Sequence, residues 1–107
     1  MADRAARAGD GNNMAGPLLR GGEIAAAALE AIEIDNPEKR LRVEDHGTYM
    51  RVEAEGGLII RRATMEEILG RRFAMQELEV NITGFSGQIE TDENQMRWFF
   101  RRNLGGM

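Results

Sequence analysis

The sequence predicts an α+β fold, and three patterns carry that prediction. First, the stretches 40–44 and 49–55 alternate between apolar and charged residues, as half-buried antiparallel strands do. Second, residues 23–34 place apolar side chains at helical spacing and include four consecutive alanines. Third, strands and helices do not alternate regularly along the chain, which argues against a parallel sheet with crossover helices. We therefore expect two layers built from antiparallel strands and a few helices.

The first half of the chain is predicted to form a strand followed by a helix. The strand covers 14–20, and Pro17 places it at a sheet edge or at the start of the strand, because proline cannot donate to a ladder. Glu23 lies in the first turn of the helix, where the helix dipole favours a negative charge. Pro37 prevents the helix from continuing, and Asp35-Asn36 are residue types that close turns.

Two hairpins are predicted in the rest of the chain. Gly56-Gly57 is a two-residue hairpin signal that would pair the strand 49–55 with a strand at 58–62. The second hairpin joins 88–91 to 95–100 around the polar turn 92–94. In both cases the expected partners follow each other in sequence, as hairpin strands do.

A short helix is predicted between the two hairpins. Thr64 and Glu67 have the spacing of a capping box, in which Thr64 caps the helix and Glu67 reaches back. Gly70 is expected to end this helix, and 73–78 could form a further helical turn. The apolar positions of all these elements define the expected core, which comprises Ile24, Leu29, Ile32, Val43, Val52, Ile60, Leu69, Leu78, Ile82 and Trp98.

Length and charge indicate one soluble domain. With 107 residues and 42% hydrophobic content the chain suffices for one modest core, and we expect a mobile N-terminal tail at 1–13, a single domain at 14–102 and a flexible end at 103–107. The formal net charge is −4, and carboxylates are interleaved with three arginine pairs, so nucleic-acid binding is not expected. No apolar run resembles a secretory signal or a membrane span, and we expect a cytoplasmic protein.

The inventory of reactive side chains is small. The chain has no cysteine, one histidine and one lysine, and His46 has no partners at the spacing that metal or triad chemistry needs. The acidic turn 92–94 lacks the loop of a calcium site, and no Glu-x-x-His pair is present for a di-iron site. These observations favour a binding protein without catalytic, metal or cofactor residues. The alternatives are a small cofactor-free enzyme that uses His46, Tyr49 or a buried carboxylate, or a generic protein-interaction module.

Several short segments, in order, resemble the effector proteins of bacterial multicomponent di-iron monooxygenases. These segments are Glu33-Ile34-Asp35-Asn36-Pro37, Leu69-Gly70-Arg71, Met75-Gln76-Glu77-Leu78-Glu79, Gly87-Gln88-Ile89 and Asp92-Glu93. The similarity runs from about residue 12 to about residue 100 and is greatest to the toluene/aromatic and alkene monooxygenase branch.

The resemblance implies a cofactor-free, non-catalytic subunit. Such effectors bind the di-iron hydroxylase, act alongside a reductase and a ferredoxin, and alter active-site shape, electron-transfer timing, oxygen activation, coupling and regioselectivity. The family fold consists of two antiparallel sheets packed as a corner that two to three helices fill, and the free protein is expected to be a monomer. Polar turn and strand-edge residues in the similar stretches are the expected hydroxylase contacts: Asn12, Asn13, Arg20, Asp35, Asn36, Pro37 and Gln76. The competing interpretation is that 35–37 only terminates a helix and that Asn12-Asn13 only ends the tail.

Overall fold

The structure, a computed structural model, describes residues 13–100, which form seven strands and three helices. In chain order they are β1 (Met14–Arg20), α1 (Glu23–Asp35), β2 (Leu41–Asp45), β3 (Tyr49–Glu55), β4 (Gly57–Arg61), α2 (Arg62–Leu69), α3 (Met75–Glu79), β5 (Ile82–Ser86), β6 (Gln88–Thr91) and β7 (Gln95–Phe99). All strand pairs are antiparallel, and the predicted α+β class is confirmed. Apart from Asn13, the segments expected to be an N-terminal tail and a flexible C-terminal end lie outside the described residues.

Four strands form the larger sheet, in the order β2-β3-β1-β5. Because β1 lies between β3 and β5, the prediction that Pro17 places this strand at an edge or at its start is wrong. The sheet accommodates the proline because the pairing of β1 with β3 is interrupted there. Ala15 and Leu18 have partners on β3, whereas Gly16 and Pro17 between them do not. At Gly16 the two backbones come so close that a Cβ would collide with the carbonyl oxygen of Val52. A glycine is therefore required beside the proline.

The chain changes sheets at Gly56 and Gly57. β3 ends in the larger sheet, whereas β4 pairs with β7 in a three-stranded sheet of order β4-β7-β6, so the predicted hairpin between β3 and β4 is wrong. Both glycines have a positive φ, 80° and 104°, and a Cβ on Gly57 would collide with the carbonyl oxygen of Trp98. The two glycines make the bend between sheets that other residues could adopt only under strain.

The second predicted hairpin is confirmed. β6 and β7 pair antiparallel, with Glu90 opposite Arg97. The turn between them is closed by Asp92, whose Oδ1 accepts the backbone N–H groups of Asn94 and Gln95 at 2.8 and 2.9 Å. A carboxylate that satisfies two turn N–H groups holds the tip in one conformation.

The long helix α1 covers the predicted range, and four of its five alanines, Ala25, Ala27, Ala28 and Ala31, are buried. It packs against α2 and β4. The predicted capping box of α2 is wrong: the helix begins at Arg62, no side chain caps it, and the Thr64 hydroxyl donates to Asp35 at 2.7 Å instead. Its end at Gly70 is confirmed, with a left-handed φ of 70°. No helix among the described residues is long and apolar enough to cross a membrane.

One hydrophobic core joins both sheets and α1. Nine of the ten predicted core residues belong to it. Ile32, Val52, Ile60, Leu78 and Trp98 are buried, and Ile24, Leu29, Leu69 and Ile82 are partly buried and pack against them. Val43 is the exception: it lies opposite Val52 but on the edge strand β2, and it is 41% exposed. The alternation of apolar and charged residues correctly predicts that β2 is a strand. It does not reveal that the hydrophobic core extends to β3 and not to the edge strand β2.

Candidate interaction surface

The C-terminal end of α1 is fastened to the free edge of β4 by the side chain of Asn36. Its Nδ2 donates to the carbonyl oxygens of Ile32 and Ile59, both at 2.8 Å, and its Oδ1 accepts the N–H of Ile59 at 3.0 Å. The residue is 5% exposed. The amide thus bonds both backbone groups of Ile59 that face away from β7, as a neighbouring strand would.

Asp35 extends the same attachment along β4, from Ile59 to Arg61. Its carboxylate accepts the backbone N–H of Arg61 at 2.9 Å and the hydroxyl of Thr64 at 2.7 Å, and the guanidinium of Arg61 lies 3.6 Å away. Only 4% of the Asp35 side chain is exposed. Both side chains therefore make bonds within the chain, and the neighbouring Pro37 is the exposed residue of this turn.

The predicted contact residues fall into separate places. The backbone carbonyl of Asn13 accepts a hydrogen bond from the N–H of Gly56 at 2.7 Å, so Asn13 lies beside the sheet crossing. Arg20 lies at the opposite end of β1, roughly 20 Å away at the usual rise per strand residue. Gln76 is exposed on α3. Of the predicted contacts, only Asp35, Asn36 and Pro37 share one turn, and Asn12 lies outside the described residues.

An open groove lies between α3 and the β6–β7 turn, and Gln76 is the predicted contact residue in its lining. It is an open depression of about 950 Å³. Arg62 crosses its base: the guanidinium donates to the carbonyl oxygen of Glu93 and to the side chain of Asn94, both at 3.0 Å, and pairs with Glu66 at 3.0 Å. The spacing of four residues between Arg62 and Glu66 was readable from the sequence, but their link to a turn some thirty residues away was not.

The pKa of Glu66 lies below the ordinary glutamate value. The backbone N–H of Phe73, which donates to its Oε2 at 3.0 Å, lowers the pKa of Glu66, and burial opposes this. The hydrogen bond and charge of Arg62, together with the charge of Arg72, lower it further. The carboxylate is therefore held ionised at the base of the groove.

The outer face of the larger sheet carries a second charged cluster, around Glu53. Ser86 donates to its carboxylate at 2.6 Å, and the guanidinium groups of Arg51 and Arg42 lie 3.6 and 3.8 Å away. Because Gly16 has no side chain, the carboxylate can lie across β1 and reach Ser86 on β5. Glu53 is only 6% exposed, and the sequence pattern did not predict a buried carboxylate on this face.

The side chain of His46 contacts neighbouring residues of the β2–β3 turn. Its ring stacks on Tyr49 with the ring centroids 4.5 Å apart, at the exposed β2–β3 turn, and Glu44 lies 3.9 Å from its Nε2. Within residues 13–100, no group of three or more histidine, aspartate or glutamate side chains is placed to hold a metal ion. The features that the described chain does present are an open groove, exposed turns and a charged sheet face, which are features of a binding protein.

The chain belongs to the MmoB/DmpM family, whose model matches residues 13–99. It is 33% identical over 89 residues to the effector subunit of the alkene monooxygenase system of Xanthobacter autotrophicus, a match that covers 83% of this chain and 88% of that protein. It is 40% identical over 67 residues to DmpM, the stimulatory component of phenol 2-monooxygenase from a Pseudomonas species, covering 63% of this chain and 72% of that protein.

Solved structures have the same fold. A chain from a phenol hydroxylase–regulatory protein complex superposes with a TM-score of 0.70 at 26% identity, covering 82% of this chain and 99% of that one. The soluble methane monooxygenase regulatory protein B superposes with a TM-score of 0.62 at 21% identity, covering 89% and 69%. The named relatives are effector, stimulatory and regulatory components, and the chain is accordingly a regulatory protein and not an enzyme.

Proposed function

We propose that this protein is the effector subunit of a bacterial multicomponent monooxygenase and that it binds the di-iron hydroxylase of that system. The observation that carries the proposal is the family match over 13–99, together with the likeness to a regulatory protein from a complex with phenol hydroxylase. The protein would act in the cytoplasm alongside a reductase and a ferredoxin. The hydrocarbon would be an aromatic compound such as toluene, as the sequence resemblance suggests, or an alkene, as in the Xanthobacter system.

The seven residues selected from the sequence remain our proposed contacts, with different roles. Asn13, Arg20, Pro37 and Gln76 are exposed and can touch a partner directly, and Asn12 adjoins Asn13. The buried Asp35 and Asn36 can act only through the turn that they hold. Exposed polar turns offer hydrogen-bond donors and acceptors to a partner surface without a large apolar patch.

The physical mechanism requires a difference in affinity. An effector changes the reactivity of a hydroxylase by binding one conformation of it more tightly than another. A preference of about 1.4 kcal/mol shifts the balance between two conformations roughly tenfold. Through such a shift the effector would set the shape of the active site, the timing of electron transfer, oxygen activation, coupling and regioselectivity.

Titration into the complete system tests this proposal. The purified protein is added to a hydroxylase with its reductase and ferredoxin while product formation and NADH consumption are followed together. We expect the ratio of product to NADH to rise and to reach a plateau near one effector per active site. A hydroxylase whose turnover, coupling and product ratio do not respond at any effector concentration would refute the proposal.

A further inference from the structure

We propose that the groove between α3 and the β6–β7 turn receives a basic segment of the hydroxylase surface, one that presents lysine or arginine side chains. The inference rests on the proposed function. It adds where on this protein the hydroxylase binds and which charge the bound segment of the hydroxylase carries. Three properties of the groove support it. Side chains at its base are hydrogen-bonded within the protein, side chains at its rim are not, and its lining carries an excess of negative charge.

The base of the groove is held in place before any partner arrives. Arg62 bonds Glu66 on its own helix and reaches both the backbone and a side chain of the β6–β7 turn. Glu66 in turn accepts the N–H of Phe73, in the segment that leads into α3. One ion pair therefore joins α2, the approach to α3 and the hairpin turn. A preformed site binds with less loss of conformational freedom than one that must be assembled.

The rim of the groove carries side chains with no such bonds. Within the described residues, the carboxylates of Glu79 and Glu93 and the amide of Gln76 have no hydrogen bond or ion pair. They flank the groove from α3 and from the hairpin turn. Groups that are solvated in the free protein can be used by a partner without breaking an internal contact. The cluster around Glu53 is different, because its carboxylate is already bonded to Ser86 and lies beside two guanidinium groups.

The charge of the groove defines the chemistry of its partner. Its lining contains five carboxylates and two guanidinium groups. The guanidinium of Arg71, beside the groove, pairs with one of these carboxylates, Glu77, at 3.2 Å, so the formal excess with Arg71 included is two negative charges. Complementary charges steer association and fix the register of two surfaces. A partner segment that carries lysine or arginine fits this groove, and an acidic segment would be repelled.

Neutralising the rim tests the inference. The double variant Glu79→Gln/Glu93→Gln removes two rim charges, and the matched control Glu30→Gln/Glu33→Gln removes two exposed charges from α1, which lies outside the groove. The dissociation constant for the hydroxylase is measured by calorimetry at low and at high salt. We expect the rim variant to raise Kd about threefold to tenfold at low salt, the control to change it less than about twofold, and the difference to shrink at high salt. Circular dichroism verifies that both variants fold.

Charge reversal keeps the test decisive. Glu79→Lys/Glu93→Lys should weaken binding more than the glutamine pair does. Equal Kd values for the rim and control variants, or tighter binding when the rim is neutralised, would overturn the inference. Tighter binding would mean that the rim repels the hydroxylase or holds a basic segment of this chain itself. A wild-type protein that neither binds the hydroxylase nor changes its turnover would instead refute the proposed function, so the two failures are distinguishable.

Discussion

Two adjacent polar side chains, Asp35 and Asn36, complete a sheet edge that the backbone leaves open. β4 is an edge strand of its sheet, and the backbone groups of Ile59 and Arg61 that point away from β7 would otherwise lack partners. A buried backbone group without a partner typically costs about 1–3 kcal/mol. The two side chains remove that cost and fix where α1 ends, which in turn positions the exposed turn at Pro37.

Asn36→Ala should destabilise the protein, because it deprives both the N–H and the C=O of Ile59 of their partners. We expect a loss of about 1–3 kcal/mol in the free energy of unfolding, measured by urea denaturation. Asn13→Ala, an exposed asparagine at a turn, is the control and should change it by less than about 0.5 kcal/mol. If Asn36→Ala is as stable as the control, the bonds to Ile59 contribute little. Turnover and product ratio at limiting effector then show whether the turn also matters to the hydroxylase.

Glu66 should make the stability of the protein depend on pH. Its folded-state pKa is lowered chiefly by the N–H of Phe73, so the folded state favours the ionised form, and the resulting stabilisation is present above the unfolded pKa. We expect wild type to exceed Glu66→Gln in stability at pH 7. The difference should decrease once the pH falls below the ordinary glutamate pKa of about 4.3 and vanish below the lowered folded-state value.

Glu67→Gln is the matched control for this pH dependence, since Glu67 is the adjacent, exposed carboxylate and makes no bond within the described chain. Urea titrations of the three proteins between neutral and acid pH measure the effect. A constant difference between wild type and Glu66→Gln at every pH would show that the charge of Glu66 is not the cause.

At the scale of elements, the bend at Gly56-Gly57 determines how the strands are divided between the two sheets. β3 and β4 follow each other directly, yet each pairs with strands of a different sheet. A hairpin there would have placed all these strands in one sheet. At the point where the chain passes from one sheet to the other, Gly57 lies directly against the backbone of β7. A side chain at this position would therefore disturb both sheets.

Gly57→Ala should destabilise the protein more than an alanine substitution at a glycine that has a positive φ but no close neighbour. Gly47, with a φ of 85° and no atom within 4 Å of a built Cβ, is the matched control. We expect Gly47→Ala to cost about 1–2 kcal/mol from the left-handed backbone alone. Gly57→Ala should cost about 1–3 kcal/mol more because of the collision. Thermal unfolding followed by circular dichroism measures both, and equal losses would contradict this account of the crossing.

At the scale of the whole molecule, the two sheets share one core and should unfold together. β1 of the larger sheet contacts both β4 and β7 of the smaller one, and the single tryptophan, Trp98, is buried on β7. Its fluorescence therefore reports on the smaller sheet. A buried residue of the larger sheet, such as Val52, supports the same core.

Val52→Ala, in the larger sheet, should shift the Trp98 fluorescence transition of the smaller sheet. We expect a loss of about 1.5 kcal/mol or more, with coincident midpoints by fluorescence and by far-ultraviolet circular dichroism. Val43→Ala, the exposed residue directly opposite, is the control and should cost less than about 0.5 kcal/mol. Separate midpoints for the two signals would show that the sheets unfold independently.

Features that depend on neighbours along the chain could be predicted from the sequence. Alternation marked β2 and β3, the polar turn 92–94 marked the β6–β7 hairpin, and helical spacing marked α1. These predictions are confirmed because period and turn chemistry are local properties. The ordered motifs also indicated the family, because they sample nearly the whole domain.

Which elements contact each other became visible only in the folded protein. The fold settled several points that the sequence left open. It placed Pro17 inside a sheet, left Val43 at an edge, sent β3 and β4 to different sheets, and joined Arg62 to a turn far along the chain. It also buried the side chain of Asn36 in hydrogen bonds to Ile59, and it assembled the groove from α3 and a distant hairpin. Each of these outcomes depends on pairing between segments remote in sequence, and neither periodicity nor spacing records which segments pair.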